Sequence, residues 1–220
     1  MSWRRLAAPG SGVRYGGSAM RLRRTAGGKR PLDDRVVLIT GGSRGIGLAS
    51  AEALLGAGAR IAICARDAER LEEAGRRLAG QGEVMCAPVD VRDPLRVEAF
   101  VASVNEHYGS VDVLVNNAGV VWVGDFADEE PTSIDEIIDV NLKGTMHMAR
   151  AVLPGMLQRG DGAIVNISSG AGLHGFPNVV AYCASEFGVV AFTESPAQVV
   201  AHRAARGCGF FPGRLAPDRS

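Results

Sequence analysis

Lysine is almost missing from this chain. Only Lys29 and Lys143 occur in 220 residues, and Lys29 lies in a basic N-terminal stretch, so chemistry needing an amine in the body has one candidate. Cysteine is sparse too. Cys64, Cys86, Cys183 and Cys208 show neither metal-ligand nor redox spacing, which argues against a metal centre and a Cys-x-x-Cys couple. Cys64 and Cys86 sit in apolar, strand-like runs and read as small core residues, and thiols of this kind suit a reducing cytoplasm. No apolar run reaches the ~18 residues that span a bilayer, so no membrane partner is expected. Acidic residues are absent from positions 1–30, which carry Arg4, Arg5, Arg14, Arg21, Arg23, Arg24, Lys29 and Arg30. The remainder holds sixteen basic and twenty-four acidic residues, and an acidic body argues against nucleic acid as its ligand.

What is present is a body long enough for one well-buried domain, with ordinary hydrophobic (46%) and charged (22%) content. Its organising stretch is Arg35–Gly58. Val36, Val37, Leu38 and Ile39 form an apolar, β-branched run that reads as a strand buried on both faces. A glycine turn follows, then Ile46, Ala49, Ala53 and Leu54 at helical spacing. Strand, glycine turn and helix make a dinucleotide-site hypothesis. Gly41 would permit the tight turn, Gly45 the approach of backbone to a pyrophosphate, and Gly47 close packing of helix on strand, with the helix N-terminus facing the phosphates.

Further strands are expected at Arg60–Ala65, Glu83–Val89, Val111–Val115 and Ala163–Ile167. Asp67 and the pair Asp93-Pro94 mark helix starts, and a helical region runs from about Pro131 to Leu157. Alternation at this spacing predicts an α/β fold with a single Rossmann-like, doubly wound parallel sheet, helices on both faces, and ligands at the carboxyl ends of the strands. The expected organisation is a basic, disordered extension over residues 1–32, the nucleotide-binding domain over 33–206, and an irregular tail over 207–220. The extension has the composition of a transit peptide without its amphipathic helix; a true start at Met20 or later is the other reading.

The spacing Thr40-Gly-Gly-Ser-Arg-Gly-Ile-Gly47 resembles the short-chain dehydrogenase/reductase family, and four more segments follow in that family's order. Asn116-Asn117-Ala118-Gly119 matches its motif after the fourth strand. Asn141, in Val-Asn-Leu-Lys-Gly, matches its helix asparagine, and Ser169 precedes Tyr182 by the family's thirteen positions. The likeness covers roughly Asp33–Thr193, and the chain resembles 3-oxoacyl-ACP reductase-like members. It implies hydride transfer between a nicotinamide cofactor and a carbonyl or secondary alcohol, with catalytic Ser169, Tyr182 and Asn141. Tyr182 would move the proton, Ser169 would stabilise charge on the substrate oxygen, and Asn141 would anchor a relay water. The cofactor would contact Gly41, Ser43, Arg44, Gly45, Ile46, Gly47, Arg66, Asp90, Val91, Asn117, Ala118 and Gly119, with no metal. Members preferring NAD carry an acid at the end of the second strand; Ala65-Arg66 stands there, and with Arg44 it favours NADP(H) over NAD(H). A cytoplasmic homo-oligomer acting on a small carbonyl or alcohol is the implied setting. His174 is a further candidate for substrate contact.

The pattern breaks at one position. The family's Tyr-x-x-x-Lys reads Tyr182-Cys-Ala-Ser-Glu186, so an anion stands one helical turn from the tyrosine, where it disfavours phenolate. Pro196 falls inside the helix begun near Tyr182. The β-branched run of a sixth strand, the seventh strand and the lid helix are missing, as in a truncated or diverged member. A catalytically silent nucleotide-binding homologue, sensor or partner subunit, is therefore the alternative to an active enzyme.

Overall fold

The computed structural model describes residues 32–200 and 205–210, with side chains placed for 32–195. Six parallel strands form one sheet in the order β3-β2-β1-β4-β5-β6. They are β1 (Val36–Thr40), β2 (Arg60–Ala65), β3 (Val84–Pro88), β4 (Val113–Asn116), β5 (Gly162–Ile167) and β6 (Ala205–Phe210). Between them run α1 (Gly45–Gly56), α2 (Ala68–Ala79), α3 (Pro94–Tyr108), α4 (Pro131–Ile137), α5 (Gly144–Arg159) and α6 (Val180–Val200).

The doubly wound arrangement follows from strand alternation. Val36 and Leu38 join one core with Val97, Val101 and Val104 of α3 and Met148 and Val152 of α5. Val37 and Ile39 face the other side, against Ala51 and Leu55 of α1 and Leu71 and Leu78 of α2. Because β1 contributes to both cores, its four consecutive apolar residues are all buried. The helix starts form as their caps dictate. Asp67 accepts from Arg70 N–H at 3.0 Å, and Asp93 accepts from Leu95 and Arg96 N–H at 3.0 and 3.1 Å, with Pro94 beside it.

Strand ends shift by one or two residues from the sequence expectation at β3, β4 and β5, the usual uncertainty at element boundaries. Two differences are larger. The helical region from Pro131 is interrupted by a π-helical turn at Ile138–Lys143. The sixth strand, for which no β-branched run announced itself, is present: β6 pairs in register with β5 from Gly162↔Ala205 to Ile167↔Phe210. Main-chain pairing to an existing edge carries a segment as glycine-rich as Ala-Arg-Gly-Cys-Gly-Phe into the sheet. The sheet thus continues past 206, where the irregular tail was expected to begin. Helix α6 runs through Pro196 to Val200. Residues 1–31 of the basic extension, and Pro212-Gly213, lie outside the described residues.

Candidate functional site

The strand order reverses between β1 and β4, and two cavities open there at the carboxyl ends. The larger, about 450 Å³, is lined by Gly41, Ser43, Arg44, Gly45 and Ile46 after β1 and by Ala65, Arg66, Asp67 and Arg70 after β2. Val91, Asn117, Ala118 and Gly119 complete it. The second, about 360 Å³, is lined by Asn141, Ser168, Ser169, Tyr182 and Glu186. The two share Ile46 and the segment Asn117–Val120, so they form one cleft.

The glycine turn has the geometry of a phosphate cradle. Gly45 sits at φ +56°, with open space where a side chain would project. A side chain at Gly47 would strike the Gly41 carbonyl and the Asn117 amide. Helix α1 begins with no side-chain cap and no acid in its first turn, so its N–H groups face the cleft for an anion to take. A dinucleotide fits this cradle, and the residues that would hold it are those of the turn, the Asn117–Gly119 segment and the arginines at the end of β2. The turn is locked to β4: Thr40 Oγ1 accepts from both Asn117 and Ala118 N–H at 2.9 Å, and Asn117 Nδ2 donates to Thr40 O at 3.0 Å.

The arginine end is not uniform. Arg44 is exposed and has no side-chain partner among the described residues. Arg66 is tied to Glu136 at 2.6 Å. Arg70, which the sequence reading did not single out, lines the same cavity while held to Asp67 at 3.2 Å. Its spacing of three from a helix cap was the only available signal. Asp90 departs from expectation. Val91 lines the cavity but Asp90 does not; its carboxylate folds back onto the Arg92 guanidinium at 2.6 Å, which holds its pKa below the usual range.

In the second cavity Asn141 is a clamp. Its Oδ1 accepts from Val120 N–H at 2.8 Å, and its Nδ2 donates to Val120 O at 2.9 Å and to Ser185 Oγ at 3.0 Å. Asn141 sits within the π turn, and its own carbonyl accepts from Thr145 Oγ1 at 2.7 Å. Ser169 starts a one-turn 3₁₀ helix at Gly170–Gly172, accepting from Ala171 N–H at 3.2 Å, and lines the cavity with Tyr182.

Glu186 turns to the end of β5. Its Oε2 accepts from Ser168 Oγ at 2.6 Å, and its carboxylate also accepts from the Ser169 backbone. Only 5% of Glu186 is exposed, and burial raises its pKa against those two hydrogen bonds. Burial likewise raises Tyr182, with the Glu186 charge adding to it and the Ser169 hydrogen bond opposing it. Ser168 and Ser185 are buried partners that the motif spacing could not reveal, since nothing in sequence marks a serine as facing a carboxylate or an amide. His174 is exposed and lies outside both linings.

Comparison with known proteins agrees with this architecture. The family model for short chain dehydrogenase matches residues 35–218. Glycine betaine reductase ATRR of Emericella nidulans is 38% identical over 191 residues, which are 86% of this chain and 15% of that much longer protein. Among solved structures, a metagenomic short-chain oxidoreductase in complex with NADP superposes with a TM-score of 0.79 at 37% identity, covering 84% of each chain. NAD+-bound xylitol dehydrogenase gives 0.81 at 32%, covering 86% of this chain and 74% of its own. With the glycine turn, the Asn-Asn-Ala-Gly segment and the serine–tyrosine pair gathered at one strand-order reversal, this chain belongs to the short-chain dehydrogenase/reductase family.

Proposed function

We propose that the chain is an oxidoreductase that moves hydride between NADP(H) and a carbonyl or secondary alcohol. The observation that carries this reading is that Ser169 and Tyr182 line one cavity continuous with the phosphate cradle. The nicotinamide cofactor supplies the hydride. The chain's own residues hold and move the proton: Tyr182 Oη gives it to, or takes it from, the substrate oxygen, and Ser169 Oγ donates a hydrogen bond to that oxygen as charge develops. Asn141 keeps the Val120 wall of the cavity in place. The preference for NADP(H) rests on Arg44, Arg66 and Arg70 lining this end of the cavity, where Asp67, the one acid in the lining, is held by Arg70 and by the first turn of α2. Cys64, Cys86 and Cys183 are free thiols, in keeping with a cytoplasmic setting, and exposed Met146 and Phe187 on α5 and α6 suit a homo-oligomer.

A second reading has its own observation. Glu186 holds the Tyr182 pKa up, where a cation would bring it down, so the chain could bind cofactor yet turn over slowly or not at all. Titration of the purified chain with NADPH by nicotinamide fluorescence, with NADH as the control, tests both readings. Saturable binding that favours NADPH, followed by carbonyl-dependent NADPH oxidation, is the expected result. Binding without turnover on a panel of ketones would favour the silent homologue. A folded sample that binds neither cofactor overturns both.

A further inference from the structure

The cleft is charged oppositely at its two ends. Arg44, Arg66 and Arg70 line the cofactor cavity, whereas no Lys, Arg or His is among the described residues that line the second, and Lys143 beside it is held by Asp139. From Val113 to Leu142 there are seven acids and no Lys, Arg or His, and from Gly162 to Ser195 there is no Lys or Arg. The rim nearest Tyr182 is built from two loops. One follows β4 and carries Val121 and Val123, with Phe126 at the start of the short 3₁₀ helix after it; the other follows Gly170–Gly172 and carries Phe176, with Val180 opening α6. Gly124 N–H donates to Asn178 O at 2.9 Å and joins them. Phe176 N–H donates to Cys183 Sγ at 3.3 Å, which holds that loop beside the residue after Tyr182.

All five of these side chains are exposed, with Val123 at 63%, and Val121 lines the cavity itself. Between them stand the exposed carboxylates Asp125, Asp128 and Glu130. An apolar rim gains by covering apolar surface, and a rim with carboxylates repels anions where solvent screening is weak. A phosphate-, sulfonate- or carboxylate-bearing substrate would need an Arg or Lys here to fix its charge.

On this geometry we infer that the substrate of the serine–tyrosine cavity is a neutral, apolar ketone or the matching secondary alcohol, and not an anionic acyl thioester or keto acid. The inference holds only within the oxidoreductase reading. It sets this chain apart from a reductase of anionic acyl thioesters, whose charge this rim would repel.

The test compares 2-octanone with 7-oxooctanoate, a matched pair differing by one terminal carboxylate, in NADPH oxidation by the full chain at low salt. Expected is a kcat/KM at least tenfold higher for 2-octanone, with the gap closing as salt is raised. The exposed rim variant Val123→Lys should raise kcat/KM for 7-oxooctanoate at least threefold and lower it for 2-octanone. If turnover is too slow to measure, saturation-transfer NMR of both compounds on the NADP+-loaded chain reads the same preference: 2-octanone bound and the keto acid not. Equal or better use of the keto acid, or binding of neither compound by a cofactor-loaded chain, overturns the assignment. Failure of the oxidoreductase reading is separately visible as absence of NADPH binding, and the assignment falls with it.

Discussion

Ser168 Oγ donates a 2.6 Å hydrogen bond to Glu186 Oε2, with both residues buried, four positions along α6 from Tyr182. The carboxylate therefore does more than stand in a cation's place. It receives the Ser168 hydroxyl from the strand end that also carries Ser169, and so ties α6 to that end of β5.

Glu186→Lys is accordingly expected to act in two directions. The cation removes the anion that raises Tyr182 and should increase carbonyl reduction. It offers only donors, however, so the Ser168 hydroxyl loses its acceptor. Leaving a buried donor unpaired costs about 1–3 kcal/mol. Urea unfolding should show that loss beside the gain in rate; a variant as stable as the parent would contradict the anchoring role.

The stability of the chain should also depend on pH through this residue. Burial raises the folded pKa of Glu186 above the ordinary glutamate value of about 4.3. A carboxyl raised on folding prefers its protonated form in the native state. Its stabilising effect is therefore complete below about pH 4.3 and is lost as pH rises through the folded value. Glu186→Gln keeps an acceptor oxygen without that titration. Thermal melts of the two proteins should diverge in favour of the glutamine variant between pH 4 and pH 8, and parallel curves would count against it.

Removing the same charge should lower the Tyr182 pKa. Tyrosinate absorbance near 295 nm, with Tyr182→Phe as the subtraction, should move to lower pH in Glu186→Gln. In alcohol oxidation the alkaline rise of kcat/KM should move with it, because the phenolate is the form that accepts the proton.

At the arginine end, Arg44→Ala should weaken NADPH at least tenfold and leave NADH nearly unchanged, as loss of a charge-assisted contact of about 1.5–3 kcal/mol requires. Glu136→Ala should do the reverse, since it releases Arg66 from a 2.6 Å ion pair that competes for the same guanidinium. Fluorescence titration of the two cofactors measures both.

Asn141→Ala removes three hydrogen bonds, two of them to Val120, and should cost about 2–3 kcal/mol in urea unfolding. Asn141→Leu, similar in volume, should not recover it, because the loss lies in the polar clamp.

The legible part of this molecule was what periodicity and glycine placement encode. The apolar run at β1, the turn to Gly47, the caps at Asp67 and Asp93 and the Ser169–Tyr182 pair all express local constraints or fixed spacing. The π turn around Asn141 was not legible, because it serves Val120, twenty-one positions earlier. Nor was β6, whose glycine-rich sequence lacks strand propensity and pairs through main chain. The Ser168–Glu186 bond was hidden for a related reason: an acid at the expected lysine reads as repulsion toward Tyr182 until its own donors are seen.

The joining of β1 to β4 has a kinetic consequence. Val36 N–H reaches Asp112 Oδ2 across 76 positions of chain, and Val37 pairs with Val113 beside it. Two βα units lie between the paired segments, and parallel pairings of such separation form slowly. The nucleotide cleft straddles this seam, so it cannot exist on a half-folded chain. A ligand that binds only the closed seam would draw the population toward it. NADPH added during refolding should therefore raise the yield of native chain, making the cofactor a participant in the chain's maturation.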